Sequence, residues 1–184
     1  MSDINDKCLE VFPTWLESLG NDVQTILDVL KGEELEDETR RYLTGGINYL
    51  FKSLDLIPDG VDDLGYLDDA FILRLCTKAA LEGETGSIDK ELVDKLNVLV
   101  GDIDIIKELL EDELLGRLDK YARKLKTGAA RGRMVDEIVE QSSVFQEFAT
   151  ETKNFIAEYS TPGFSKDEKN LIRLKAFFDA KLPK

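Results

Sequence analysis

Apolar residues recur at helical spacing along most of the chain. Cys8, Val11, Phe12, Trp15, Leu16 and Leu19 form one stripe, and Val23, Ile26, Leu27 and Leu30 continue it, three and four apart as on one face of an α-helix. Gly20-Asn21 separates the two sets, so two helices are expected, the second ending at Gly32. Pro13 lies near the start of the first, where a missing N–H is tolerated. Tyr42, Leu43, Ile47, Leu50 and Phe51 predict a further helix, preceded by Glu33, Glu34, Glu36, Asp37 and Glu38. Acids at a helix start favour its dipole by roughly 0.3–1 kcal/mol each when well placed, and the rest of that cluster reads as a solvated face. Residues 64–82, with Leu64, Leu67, Phe71, Ile72, Leu75 and Ala79, read as a buried helix.

Gly83-Glu84-Thr85-Gly86-Ser87 is loop chemistry. It divides an acidic lobe, residues 1–86, from a second lobe, residues 87–184, either as two units or within one continuous domain. A short helix with Ile88, Leu92, Leu96 and Leu99 inward stops at Gly101. Residues 102–126 follow, with Ile106, Leu110, Leu114, Leu118, Tyr121 and Leu125 on one face. Residues 132–159 carry a seam of Val135, Ile138, Ser142, Phe145, Ala149, Thr152, Ile156 and Tyr159, spaced alternately by three and four, as in a heptad pattern. The linking loop Thr127-Gly128-Ala129-Ala130-Arg131-Gly132 is short enough for an antiparallel pair. The seam could serve a dimer, but Met134, Phe148 and Phe155 widen it, which favours packing within the chain. Ser165 and Glu168 match a capping box for a last helix to about residue 182. No strand or repeat is visible. The expected fold is all-α with about seven to eight helices, a helical hairpin unit plus a long antiparallel helix pair.

Charge changes this picture more than composition does. Residues 1–116 hold 28 acids against 10 bases, a net of −18, whereas residues 117–184 hold 10 acids against 14 bases, a net of +4. Phosphate would be repelled by the first part, so nucleic acid is not expected there. The chain has no histidine, which removes the commonest general base and transition-metal ligand and any nucleophile–His pair built from this chain alone. Cys8 and Cys76 lie in apolar helical stretches and read as buried free thiols. No apolar run approaches the roughly 20 residues that cross a bilayer, and Met1-Ser2-Asp3-Ile4 is unlike a targeting segment. A cytoplasmic location is expected.

One motif carries more information. Asp55-Leu56-Ile57-Pro58-Asp59 is followed, after five residues, by Gly65-Tyr66-Leu67-Asp68-Asp69. Ile57 is pushed out of helical geometry by Pro58, and Asp59-Gly60 is turn chemistry. The pattern, over about residues 36–75, resembles the YkvA-like domain of unknown function, in which a helix is followed by a D-L-I-P-D turn and a G-x-x-D-D helix start. Ser53 and Asp62 stand where that family has prolines. The resemblance implies a small helical hairpin and no established activity, and members of the family are often membrane-associated.

Asp55, Asp59, Asp62, Asp63, Asp68 and Asp69 are six acids within 15 residues. Read structurally, Asp62 or Asp63 caps the next helix and Asp68 or Asp69 lies in its opening turns. Read chemically, Asp55, Asp59, Asp68 and Asp69 form a candidate site for Mg²⁺ or Ca²⁺, which take oxygen ligands and need no histidine; Lys52 and Arg74 are the nearby bases. Glu108, Glu111, Asp112 and Glu113 read as a solvated face. The bases Arg117, Lys120, Arg123, Lys124, Lys126, Arg131 and Arg133 are read as pairing with the chain's own acids or with solvent, and contact of Arg117, Lys120, Arg123 and Lys124 with an anionic membrane surface stays open. The function expected is that of a non-catalytic interaction or scaffold protein meeting a basic partner; the alternative is a divalent-metal-binding domain or metal-dependent hydrolase.

Overall fold

The computed structural model describes residues 2–32 and 34–184, so Met1 and the Glu33 of the acidic cluster lie outside it. The fold is all-α, with eight α-helices among the described residues: α1 Ser2–Gly32, α2 Asp37–Tyr49, α3 Leu67–Leu81, α4 Lys90–Leu99, α5 Asp104–Lys124, α6 Val135–Glu140, α7 Ser142–Glu158 and α8 Glu168–Lys181. A 3-10 turn over Leu125–Thr127 and two short strands, β1 Ala129–Ala130 and β2 Arg133–Met134, lie between α5 and α6.

Helix α3 is the centre. Thirteen of its fifteen residues are buried, the pattern of a helix covered on every side. α2 lies along it, α1 and α5 flank it, and α7 packs on α1. Phe12, Trp15 and Phe71 form an aromatic knot at the α1–α3 crossing, with ring centroids 5.1–5.5 Å apart. The backbones approach most closely where side chains are absent. A Cβ on Gly45 would stand 2.5 Å from the carbonyl oxygen of Leu125, and one on Gly46 would stand 3.0 Å from Cys76 Cβ. These two glycines let α2 press against the end of α5 and against α3. Both cysteines are buried and free.

Several local expectations are corrected. The first two helices are one, because Gly20 does not break α1. The Tyr159 ring sits 3.6 Å from where a Gly20 Cβ would be, and Tyr159 donates its hydroxyl to the Leu16 carbonyl at 2.6 Å. That packing outweighs the roughly 1 kcal/mol helical cost of a glycine. Pro13 is consequently inside the helix rather than near its start.

The second long helix is broken at Gln141, whose backbone is extended (φ −115°, ψ 115°), into α6 and α7. The α7 part of the seam packs on α1 and the α6 part on α2, with Ala149, Thr152 and the flanking Phe148 buried. α5 itself bends at Glu111, which has φ 60° and ψ 174°. The loop before α6 is a hairpin in which Ala130 pairs with Arg133. Arg131 (φ 50°) and Gly132 (φ 76°) form its two-residue turn, the left-handed geometry that matches strand twist.

Ser165 does not cap α8. The cap is Asp167, whose carboxylate accepts from Lys169 N. Ser165 instead donates its N–H and hydroxyl to Asp63, at 2.9 and 2.8 Å. Nor does Asp62 or Asp63 cap α3, whose N-cap is Tyr66 at φ 65° with no side-chain cap bond.

Candidate functional site

The segment between α2 and α3 folds back on itself. Val61 N donates to Pro58 O at 3.0 Å and Gly65 N to Val61 O at 2.9 Å. Gly65 is required here, since a Cβ would stand 2.1 Å from the carbonyl oxygen of Asp59. Leu56, Ile57, Leu64 and Leu67 are buried and pin the turn to the core. The result sets the last turn of α2 beside the first turn of α3, with the four candidate aspartates around the junction.

Asp68 is fully buried and Asp69 is 2% exposed. Asp68 Oδ2 accepts from the Tyr49 hydroxyl at 2.6 Å and from Ile57 N at 3.1 Å. The same Tyr49 oxygen accepts from Leu56 N at 2.9 Å. Asp68 therefore closes the turn from beneath instead of capping its own helix with its side chain. Three carboxylate oxygens are left buried without a hydrogen-bond partner: Asp55 Oδ1, Asp68 Oδ1 and Asp69 Oδ2. Asp59 lies on the exposed rim.

The electrostatics follow from that arrangement. Burial is the largest cause raising Asp55 to about 7, and the charges of Asp68 and Asp59 add to it, with Lys52 opposing. Asp68 is raised to about 6 by burial, offset in part by the Tyr49 and Ile57 bonds. Asp69 is held well above the usual carboxylate range by burial and by Asp68, Asp59 and Asp55. Burial also raises Asp59. Asp68 and Asp69 are like charges in a poorly solvated place, with Asp55 half-buried and Asp59 exposed beside them, an arrangement that favours protons or another cation among them.

Of the four candidate aspartates, Asp68 and Asp69 are buried in the first turn of α3, Asp55 is half-buried and Asp59 is exposed. Asp62 is exposed, and Asp63 serves the segment before α8. Arg74, one of the two expected neighbouring bases, turns instead to Asp22 at 3.3 Å and stacks 4.3 Å from the Trp15 ring centroid. Lys52 donates to the Tyr121 hydroxyl at 3.2 Å. The tyrosines Tyr49, Tyr66 and Tyr121 around the carboxylates were not singled out as site residues. Tyr66 lies inside the motif itself, which was the available signal; Tyr49 and Tyr121 meet only through the fold, 6.2 Å apart. Among the described residues, no three acidic or cysteine side chains already stand as a ready ligand set.

Beside the cluster is a cavity of about 330 Å³, bounded by the turn and α7 and lined in part by Phe51, Asp59, Tyr66, Glu151, Phe155 and Glu158. The basic stretch is largely turned to the chain's own groups. Arg117 binds Asp179 at 2.6 Å, Arg123 binds Glu82 at 2.8 Å, Arg133 binds Glu151 at 2.6 Å, and Lys126 pairs with Glu38. Lys120 and Lys124 are exposed, as are Glu108, Glu111, Asp112 and Glu113. No described helix is long and apolar enough to cross a membrane. Comparison of the chain with protein-family models, with curated proteins and with solved structures finds no match.

Proposed function

We propose that the protein binds a divalent cation, Mg²⁺ or Ca²⁺, between Asp55, Asp59, Asp68 and Asp69, and that this binding is non-catalytic, locking the turn between α2 and α3. The observation that carries the reading is the set of three buried carboxylate oxygens without partners, on Asp55, Asp68 and Asp69. A buried acceptor that finds no donor costs about 1–3 kcal/mol, more when charged. A hard cation satisfies several at once and cancels their repulsion, with water completing its shell. The YkvA-like assignment of residues 36–75 is part of the proposal, supported by the succession of α2, the D-L-I-P-D turn and the G-x-x-D-D start of α3. A cytoplasmic setting accords with the two free, buried thiols.

The test is a thermal melt after chelation, titrated with Mg²⁺, Mn²⁺ and Ca²⁺, on the wild type and Asp69→Asn. A ligand that binds only the folded state raises Tm by about 5–10 °C at a hundredfold excess over Kd. Saturable stabilisation lost in Asp69→Asn supports the site. A wild type unmoved by all three cations rejects it.

A second reading, a scaffold that meets a basic partner, is supported by the net charge of −14. Retention on immobilised polylysine that outlasts about 0.5 M salt would favour a specific surface over simple charge attraction. A metal-dependent hydrolase would share the same carboxylates, and single-turnover hydrolysis of a phosphate ester in Mg²⁺, abolished by Asp69→Asn, would be its signature.

A further inference from the structure

We propose that the cavity between the 50–66 turn and α7 is a binding site for an alkylated ammonium group. This inference is independent of the metal proposal, although Asp59 borders both places.

Three aromatic rings form the wall. Phe155 stands edge-on to Phe51, with centroids 6.5 Å apart and an interplanar angle of 87°, and lies 6.1 Å from Tyr66 at 60°. The three carboxylates of the lining, Asp59, Glu151 and Glu158, face one base, Arg131. The side chains of Asp59 and Glu158 make no hydrogen bond or ion pair among the described residues, whereas Glu151 is engaged by Arg133. At about 330 Å³ the space accepts a trimethylammonium head with its stem. Ring faces attract organic cations, which carry little hydration to lose, while inorganic ions need oxygen ligands that ring faces do not offer. The excess of carboxylates excludes an anion.

The chain already seats a cation there. The guanidinium of Arg131 lies 5.1 Å from the Phe51 ring centroid and its Nη1 is 3.5 Å from Glu151 Oε2. It is held loosely. Its side chain is 59% exposed, and the Glu151 oxygen it reaches already accepts the shorter 2.6 Å bond from Arg133. Arg131 is carried on the tip of the β1–β2 hairpin, so it can withdraw without disturbing a helix. The geometry is that of a resident cation at the mouth of an aromatic and acidic pocket, displaced when a ligand with a better-fitting ammonium arrives.

The experiment is calorimetric titration of the full chain, with chelator present, using tetramethylammonium, choline and a trimethyl-lysine peptide, with 3,3-dimethyl-1-butanol as the neutral isostere of choline. Saturable binding of at least one cation, about tenfold tighter than the neutral isostere, is expected. Arg131→Ala should tighten it several-fold by removing the competitor. Glu158→Gln, which keeps the side-chain volume, and Phe155→Leu, which keeps an apolar side chain, should weaken it; circular dichroism checks that both fold. Preference for choline identifies a free small molecule as the source, and preference for the peptide identifies a modified protein tail. No saturation with any of the three cations, equal binding of the neutral isostere, or weakening by Arg131→Ala overturns the proposal.

Discussion

The hydroxyl of Tyr49 donates to Asp68 at 2.6 Å and accepts the amide of Leu56 at 2.9 Å, so one oxygen atom joins the end of α2, the start of α3 and the chain between them. Both residues are buried. Tyr49→Phe removes the hydroxyl and leaves the Asp68 oxygen and the Leu56 N–H short of a partner. A loss of about 1–3 kcal/mol in unfolding free energy is expected, measured by urea denaturation at pH 7 in chelator. An unchanged midpoint would mean that water replaces the hydroxyl.

The raised carboxyls predict the direction of a pH effect. Asp55 and Asp68 are pushed up to about 7 and about 6, and Asp69 is held well above the usual carboxylate range by burial and its neighbours. The folded chain thus binds more protons than the unfolded chain between about pH 4 and 7, so stability is greatest at the acid end of that window and falls as pH rises. Asp63, Glu82 and Asp179 are lowered by their partners, and their contribution is lost only below the ordinary carboxylate range. In chelator, Tm should therefore fall between pH 5 and 8, and Asp69→Asn should flatten the slope. A Tm that rises over this range contradicts the arrangement.

Two glycines should respond in opposite senses. Gly45→Ala drives a methyl against the Leu125 carbonyl, 2.5 Å away, and overpacking of this kind costs typically about 1–3 kcal/mol. Gly116 is in the interior of α5 with nothing within 4 Å of its missing Cβ. Gly116→Ala should stabilise by about 0.5–1 kcal/mol. Chemical denaturation of both variants checks the pair.

The link between Asp63 and Ser165 ties the motif turn to the segment before α8 by two bonds. Asp63→Ala should cost about 1 kcal/mol and raise amide exchange at the start of α8 more than in α3. Asp63→Asn keeps an acceptor and tolerates the left-handed backbone at φ 66°, so it should retain most of the protection.

How much of this was legible in the sequence differs from element to element. The stripe of Phe12, Trp15, Leu16 and Leu19 was enough to place α1, because helical periodicity is local. Leu56, Ile57 and Pro58 were enough to place the turn. The length of α1 was not legible, since Gly20 is held helical by Tyr159, from the far end of the chain. The break at Gln141 was hidden for the converse reason: the seam keeps its spacing through an extended residue. At the site, the aspartates were found because they are dense in sequence. Their burial and unpartnered oxygens were not legible, nor was the wall of Phe51, Tyr66 and Phe155, because both depend on long-range packing.

The chain has one tryptophan, and Trp15 is stacked by Arg74 at 4.3 Å and packed against Phe71 at 5.5 Å. Both neighbours belong to α3, the helix whose first turn carries Asp68 and Asp69. The molecule thus contains a native optical gauge on that helix. Any ligand that shifts α3 by even a fraction of an ångström alters the charge and the ring facing the indole, and the emission spectrum registers it without a label.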